Sequence, residues 1–384
     1  MSSYILKNFL EYFLIFLGIN LYCVGLFIFV DDLFSILQVE VTTKCNGLCL
    51  MCPRSVFRDR WISQDMDVKL FIKMIDGVKH ELELVYLQGW GEPLLHSNII
   101  DMIKYVKGRL SVSVGLTTNG VFLNDVMVER LLRSGLDVIA ISFAGASKGV
   151  HDSIRVNCGF DVVLRNVKYL IGLRKVLGSN IRVIASYLMM KQNVAELPSF
   201  VRLCNGLGID EVVINNLTYI PFRALYDCKV FSCYGESVDK GMRYYVDEAR
   251  RVAKELGQRV FIYNVECGEL ANCPEEPTRT VFINFNGDVS PCVYTNIPIH
   301  GDEIPRFFVN RQLSVNKVVF GNVGVESLYE IWGKEAYKRF REVFRRRVEL
   351  SNDLTGMFLL SDEMLMRDVS LSECCKTCYR IHNV

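Results

Sequence analysis

A chain of 384 residues, 50% hydrophobic and 23% charged, is long enough to bury a large core and to hold two domains. Its 44 Lys and Arg balance 43 Asp and Glu, so it lacks the one-signed field of a nucleic-acid-binding surface. The 14 cysteines bunch at 45–52, 267–292 and 374–378, closer to metal-ligand spacing than to a disulfide framework. Thiolates kept for metal imply a reducing, cytoplasmic setting.

The first stretch in chain order, "YFLIFLGINLYCVGLFIFV" at 12–30, carries no charge and nears bilayer-spanning length. No small-residue cleavage site follows it, which argues against a signal peptide. Lys7 and Glu11 before it and Asp31 and Asp32 after it do not set an orientation. A membrane-associated helix, a helix docked on the domain and translated upstream sequence stay open for residues 1–34.

From residue 36, apolar β-rich runs alternate with helical patterns. Strands are predicted at 36–43, 82–89, 110–120, 137–145, 181–190 and 210–217. Helices are predicted near 66–80, 98–108, 125–134, 161–174 and 195–206. Successive strand–helix units predict parallel strands joined by crossovers, hence an α/β fold, a partial (β/α)6 barrel over 35–257. Chemistry in such folds sits at the carboxyl ends of the strands. After about residue 258 the alternation stops, and a small α+β domain over 258–384 is expected. "TVFINFNGDVSPCVY" (280–294) reads as a hairpin turning at Asn286-Gly287. An amphipathic helix is predicted at 327–347, with Tyr337, Phe340 and Phe344 on one face and its arginines in solvent.

The cysteine loop "VTTKCNGLCLMCPRS" (41–55) follows the first strand at the end where chemistry is expected. Cys45-x3-Cys49-x2-Cys52 supplies three thiolates, enough for three corners of a [4Fe–4S] cube with the fourth iron left open. A zinc site completed by a distant residue is the alternative.

This loop resembles the signature of the radical S-adenosylmethionine (SAM) enzymes, whose partial barrel has the same number of β/α units. The resemblance implies a [4Fe–4S] cluster with an open iron that binds SAM. It also implies reductive cleavage to a 5′-deoxyadenosyl radical, which takes a hydrogen atom from a substrate, and an electron donor such as reduced ferredoxin or flavodoxin. "LQGWGEPLLH" (87–96) resembles the glycine-rich GGEP element, with Trp90 in place of the first glycine; it implies SAM contacts from Gln88, Gly89, Gly91 and Glu92. "TTNG" (117–120) and "ISFAG" (141–145) occupy SAM-lining positions of relatives, which implicates Thr118, Asn119 and Ser142, although Ala144 stands where many relatives carry an acid. "HDSIR" (151–155) matches a stretch whose arginine pairs with the SAM carboxylate, a role that falls on Arg155. His151 reads as a packing or capping residue.

Cys273, Cys292, Cys375 and Cys378 resemble the Twitch version of the SPASM extension, which closes around one auxiliary [4Fe–4S] cluster. Cys267 and Cys374 are spare ligands, and zinc is again the competitor because four thiolates also close a tetrahedron. Cys158, Cys204, Cys228 and Cys233 fit no metal spacing and read as packing residues.

Relatives with such extensions act on peptides, sulfatase precursors, aminocyclitols and cofactors. Val293, where sulfatase-maturating relatives carry an aspartate, argues against that activity. The combined motifs look closest to proteins that mature tungsten-containing oxidoreductases. Peptide modification and alcohol dehydrogenation follow. An iron–sulfur electron carrier is the reading from another class.

Overall fold

The computed structural model describes residues 33–354 and 369–384. The barrel strands are β1 (Ile36–Val39), β2 (Leu84–Leu87), β3 (Ser113–Thr118), β4 (Val138–Phe143), β5 (Arg182–Met189) and β6 (Glu211–Asn216). They pair in parallel in that order. Helices α1 (Val68–Asp76), α2 (Ile99–Arg109), α3 (Asp125–Leu132), α4 (Lys148–Ile154), α5 (Phe160–Leu177) and α6 (Leu197–Leu207) form the crossovers. The strands are rich in Val, Ile and Leu and buried almost throughout, as parallel strands covered by helices should be. Helix starts are fixed locally: Asp67 accepts from the Lys69 amide and Asn124 from the Met127 amide, caps worth about 1 kcal/mol each.

The expected end of the alternation is overturned. Helix α7 (Lys240–Leu256) leads into β7 (Arg259–Ile262), a seventh strand parallel to β6. The pattern fails to announce it because its burial is incomplete, with Arg259 exposed and Val260 and Phe261 only partly covered. The predicted hairpin forms, as β8 (Thr280–Ile283) and β9 (Asp288–Ser290), with Gly287 at φ +91°. Its first strand pairs in parallel with β1. The C-terminal hairpin therefore continues the barrel sheet, in the order β12-β9-β8-β1-β2-β3-β4-β5-β6-β7, with β12 at Gly321–Asn322. A separate antiparallel pair, β10 (Glu303–Phe308) and β11 (Arg311–Asn316), lies outside that sheet.

The helix expected at 327–347 is two helices, α8 (Leu328–Gly333) and α9 (Glu335–Leu354), broken where Lys334 is extended at ψ 138°. Tyr337 and Phe344 are buried as expected, but Arg341 and Arg347, expected in solvent, are 0% and 1% exposed. Arg341 lies 3.6 Å over the Trp332 ring and donates to the Trp332 carbonyl. Arg347 donates to the carbonyls of Ala271, Leu270 and Val369 and pairs with Glu269 at 2.5 Å. A planar five-donor group can be buried when backbone acceptors surround it, information the helical repeat does not hold.

Alternation along the strands builds the barrel interior in layers. Ile36, Leu84, Tyr86, Val138, Ala140, Ile184, Val213 and Tyr263 form an apolar plug. Two residues further along their strands stand Gln38, Gln88, Ser142 and Asn215, the polar floor of a cavity at the carboxyl ends. Among the described residues no helix is long and apolar enough to cross a membrane; the run at 12–30 lies outside them.

Candidate active site

The cavity is about 210 Å³, and its lining includes Cys45, Cys49 and Cys52 together with every SAM contact expected from the sequence: Gln88, Gly89, Gly91, Glu92, Thr118, Asn119, Ser142 and Arg155. The cysteine loop is placed by a short backbone ladder. The Leu48 amide donates to the Val156 carbonyl and the Leu50 amide to that of Ile154. Asn46 Nδ2 reaches the Asn157 carbonyl, and Arg54 holds the Cys45 carbonyl. The loop and the Arg155 segment, a hundred residues apart in sequence, are thus one docked unit.

Glu92 is the strut of the site. It is 2% exposed and accepts from the Leu94 amide, the Thr118 hydroxyl at 2.7 Å and the Asn119 amide at 2.6 Å, while its own amide donates to the Lys44 carbonyl. Burial raises its pKa to about 7 against those three donors. Thr118 and Asn119 therefore line the cavity while their polar groups hold other parts of it. Asn119 Nδ2 donates to Asn46 Oδ1 at 2.7 Å and touches Cys45 Sγ at 3.9 Å. A Cβ at Gly91 would come 2.2 Å from the Thr42 carbonyl oxygen, and one at Gly89 2.2 Å from Glu40 Cγ. Both positions need glycine because the loop lies against the end of the first strand.

Glu40 is fully buried and accepts from the Trp90 amide at 2.8 Å. Burial, opposed by the Trp90 and Phe285 amides, raises its pKa to about 8. Burial and the charges of Glu92 and Cys49 push the Cys45 thiol up. Cys52 is raised to about 12 by burial and by its cysteine neighbours. Burial opposes the charge on Arg155, yet the neighbouring thiols Cys49, Cys158, Cys45 and Cys52 win and raise its pKa.

Trp90 accounts for its own departure from the glycine-rich element. Its indole Nε1 donates to the Val293 carbonyl at 3.2 Å, and its ring meets Tyr219 and Tyr294 edge-on at 5.7 and 5.8 Å. These aromatics wall the cavity on the side of the second cysteine set. There Cys273, Cys292, Cys375 and Cys378 contribute to two adjoining apolar clusters. Burial raises all four thiols, led for Cys375 by its contact with Cys374. Arg306 donates to the carbonyls of Cys374 and Tyr294, fixing the turn that carries Cys375 and Cys378. Arg380, 1% exposed, pairs with buried Glu275 at 3.0 Å, donates to Tyr263 and reaches the cavity wall.

Two spare-cysteine expectations resolve differently. Cys374 stays at the set, 3.8 Å from Cys375 Sγ and 3.2 Å from Ser372 Oγ. Cys267, expected as an alternative ligand, is instead disulfide-bonded to Cys233, as the Cα separation of 4.8 Å allows. The cause is local pairing: the Ser232 amide donates to Val265 and the Cys267 amide to Ser232, which sets the two backbones side by side. His151 packs, as expected: its ring meets Phe143 and donates to the Cys158 carbonyl, and burial lowers its pKa to about 4.

The sequence reading missed Gln38, Asn215, Asn216, Tyr219, Tyr294 and Arg380 in the cavity, and Cys158, whose sulfur lies against Gly47 of the cysteine loop. Gln38 left a signal, a carboxamide inside the apolar strand "ILQVEV"; Arg380 left one too, two residues after a cysteine. Cys158 left none, because only the ladder brings it to the loop.

The profile of the radical SAM superfamily matches residues 39–204, and that of the iron–sulfur cluster-binding SPASM domain matches residues 273–355. The chain belongs to the radical SAM superfamily. It is a radical SAM enzyme with a C-terminal SPASM domain, so its class uses SAM and a [4Fe–4S] cluster, and the SPASM domain implies auxiliary iron–sulfur chemistry. It is 29% identical over 312 residues to the tungsten-containing aldehyde ferredoxin oxidoreductase cofactor-modifying protein of Pyrococcus furiosus, covering 79% of this chain and 82% of that one. A probable GTP 3′,8-cyclase of Methanocaldococcus jannaschii is 24% identical over 190 residues, 49% of this chain and 59% of the relative. Among solved structures, Streptococcus suis SuiB bound to S-adenosylmethionine superposes with TM-score 0.61 at 16% identity, over 89% of this chain and 79% of that chain. Native anSMEcpe with bound AdoMet gives 0.57 at 15%, over 80% and 83%. These likenesses match the architecture of this radical SAM enzyme.

The cavity fits the groups its class uses. Three soft thiols from one loop, Cys45, Cys49 and Cys52, line the same cavity. Buried polar atoms that lack hydrogen-bond partners line it: Arg155 Nε, and on the floor Gln88 Oε1, Gln38 Nε2 and Oε1 and Asn215 Oδ1. Among the described residues no three His, Cys, Asp or Glu form a group ready for a single metal ion.

Proposed function

We propose that this radical SAM enzyme takes a hydrogen atom from a cofactor under maturation, of the kind its Pyrococcus furiosus relative modifies. The observation that carries the reading is the extent of that match, 79% of this chain and 82% of the relative, well beyond the radical SAM core at 39–204. Cys45, Cys49 and Cys52 would hold the SAM-cleaving cluster. Cys273, Cys292, Cys375 and Cys378 would hold the auxiliary one. When bound, the first cluster supplies the single electron that cleaves SAM, and reduced ferredoxin or flavodoxin is the donor this chemistry calls for.

The chain's own residues would do the rest. Arg155 offers a guanidinium fork to the SAM carboxylate. Backbone groups at Gly89–Gly91, held by Glu40 and Glu92, would bind the amine. Ser142 and Gln88 border the same space. Gln38 and Asn215 present uncharged carboxamides to the substrate from the floor, and the Trp90–Tyr219–Tyr294 wall keeps water from the reacting centre.

The test is anaerobic reconstitution with iron and sulfide, followed by dithionite and SAM. About eight irons per chain and release of 5′-deoxyadenosine are expected. Changing Cys45, Cys49 or Cys52 to Ala should abolish that release, and Cys375→Ala should lower iron toward four. The tungsten-oxidoreductase cofactor should change mass only with SAM present. Conversion of a peptide or an alcohol in its place would reassign the substrate and leave the chemistry. A SAM-insensitive cluster that releases no 5′-deoxyadenosine would mark an electron carrier instead.

A further inference from the structure

The floor of the cavity holds polar atoms that the chain itself leaves unused. Gln38 stands on β1, two residues past Ile36 of the apolar plug, and is 1% exposed, yet neither its Oε1 nor its Nε2 has a hydrogen-bond partner. Asn215 stands on β6, two residues past Val213 of the same plug, and is 3% exposed. Its Nδ2 donates to Ser186 Oγ at 3.2 Å and to the Val213 carbonyl, while its Oδ1 is left without a partner. Unmade hydrogen bonds of buried groups are costly, so a folded chain keeps such groups where something else completes them.

The charged side chains that line the same cavity are Glu92, Arg155 and Arg380. Glu92 accepts from three donors, Arg380 pairs with Glu275 at 3.0 Å and donates to Tyr263, and Arg155 is assigned to the SAM carboxylate. The polar atoms of the aromatic wall are committed as well. Trp90 Nε1 donates to the Val293 carbonyl, the Tyr219 hydroxyl donates to the Pro305 carbonyl at 3.0 Å, and the Tyr294 hydroxyl is bonded to Thr218 at 3.2 Å. What remains for a substrate is apolar ring surface above uncharged amides. We propose that floor and wall form the substrate subsite, that it takes a flat, uncharged heterocycle, and that Gln38 reads a ring lactam on its edge. A carboxamide carries a donor and an acceptor side by side, and so pairs bidentately with a carbonyl next to an N–H, as it does with the edge of a base. Asn215 Oδ1 accepts from a further N–H of the ring, and the aromatic side chains cover its apolar surface. The proposal rests on the reading that the substrate is a cofactor, and narrows it to a chemical class.

The probes are pterin, a flat two-ring lactam that fluoresces, and 3-methylpterin, whose lactam N–H is blocked. Their binding to the reconstituted full chain, with SAM present, is measured by equilibrium dialysis with fluorescence as the readout. Wild type should hold pterin about tenfold more tightly than 3-methylpterin. Gln38→Met keeps the length of the side chain without its amide and should lose that preference, while iron content and SAM binding equal wild type. If Gln38→Met does not fold, Gln38→Asn withdraws the same amide by one methylene and should lose the preference as well. Equal affinities in wild type, or a preference that survives in the variant, would overturn the proposal. Loss of SAM binding in the variant at full iron content would overturn it in favour of a floor that serves SAM. The cofactor reading fails separately, when the tungsten-oxidoreductase cofactor keeps its mass; a pterin preference carried by Gln38 would then still uphold the lactam subsite.

Discussion

Single residues here matter through what they hold. Glu40 touches no expected ligand, but its carboxyl accepts from the Trp90 amide and lies directly under Gly89. Its pKa is raised from 4.5 to about 8 by burial, so the folded state binds the proton more tightly than the unfolded chain. The stability tied to this group is full below pH 4.5 and fades as pH rises through about 8. Glu40→Gln keeps the shape without the charge. Melting curves from pH 5 to 9 should show wild type losing stability toward the alkaline end and the variant losing less, with the gap widest above pH 8. Parallel curves would mean that the carboxyl is not held neutral. The expected SAM-site residues were legible because each is a chemical type at a motif position. Gln38 and Asn215 were not, because a polar residue in a strand declares itself functional only once alternation has placed it over the apolar plug.

At the scale of elements, the barrel strands are legible from alternation alone, whereas α9 meets the solvent expectation for its arginines only in part. Its repeat of aromatic residues is real and Arg339 and Arg346 are exposed as expected, but Arg341 and Arg347 are interior groups. Arg347 ties two segments to α9: residues 269–271 just before Cys273, and Val369 just before the Cys375 turn. Removing it leaves buried carbonyls unpaired, and breaking such a buried network costs about 3–5 kcal/mol. Arg347→Met should therefore lower the melting temperature and release auxiliary iron preferentially, while the cluster on the Cys45 loop still reports SAM binding by EPR. Equal loss of both clusters would show that α9 stabilises the whole molecule and not the second cysteine set. The seventh strand, β7, was missed for the complementary reason: strands on a sheet edge are only partly covered, so composition marks them weakly.

Over the whole molecule, one sheet runs across the boundary expected at about residue 257. The second cysteine set belongs to a segment whose first strand, β8, pairs with β1, the strand that launches the Cys45 loop. Val293, next to Cys292, accepts from Trp90 of the glycine-rich loop, and Arg380, next but one to Cys378, reaches the same cavity. A chain cut after residue 257 would expose the β1 edge, with Ile36, Leu37 and Val39 beside it, and strip β7 from β6. Unpaired edges of this kind invite aggregation, and the lost ladders leave buried amides unsatisfied. Residues 33–257 expressed alone should therefore be insoluble, or should lack the cooperative melting transition of the full chain, and should bind no SAM by equilibrium dialysis. A soluble fragment that bound SAM after cluster reconstitution would show that the radical SAM core folds without the SPASM segment. The shared sheet would then orient two independent modules and not create one.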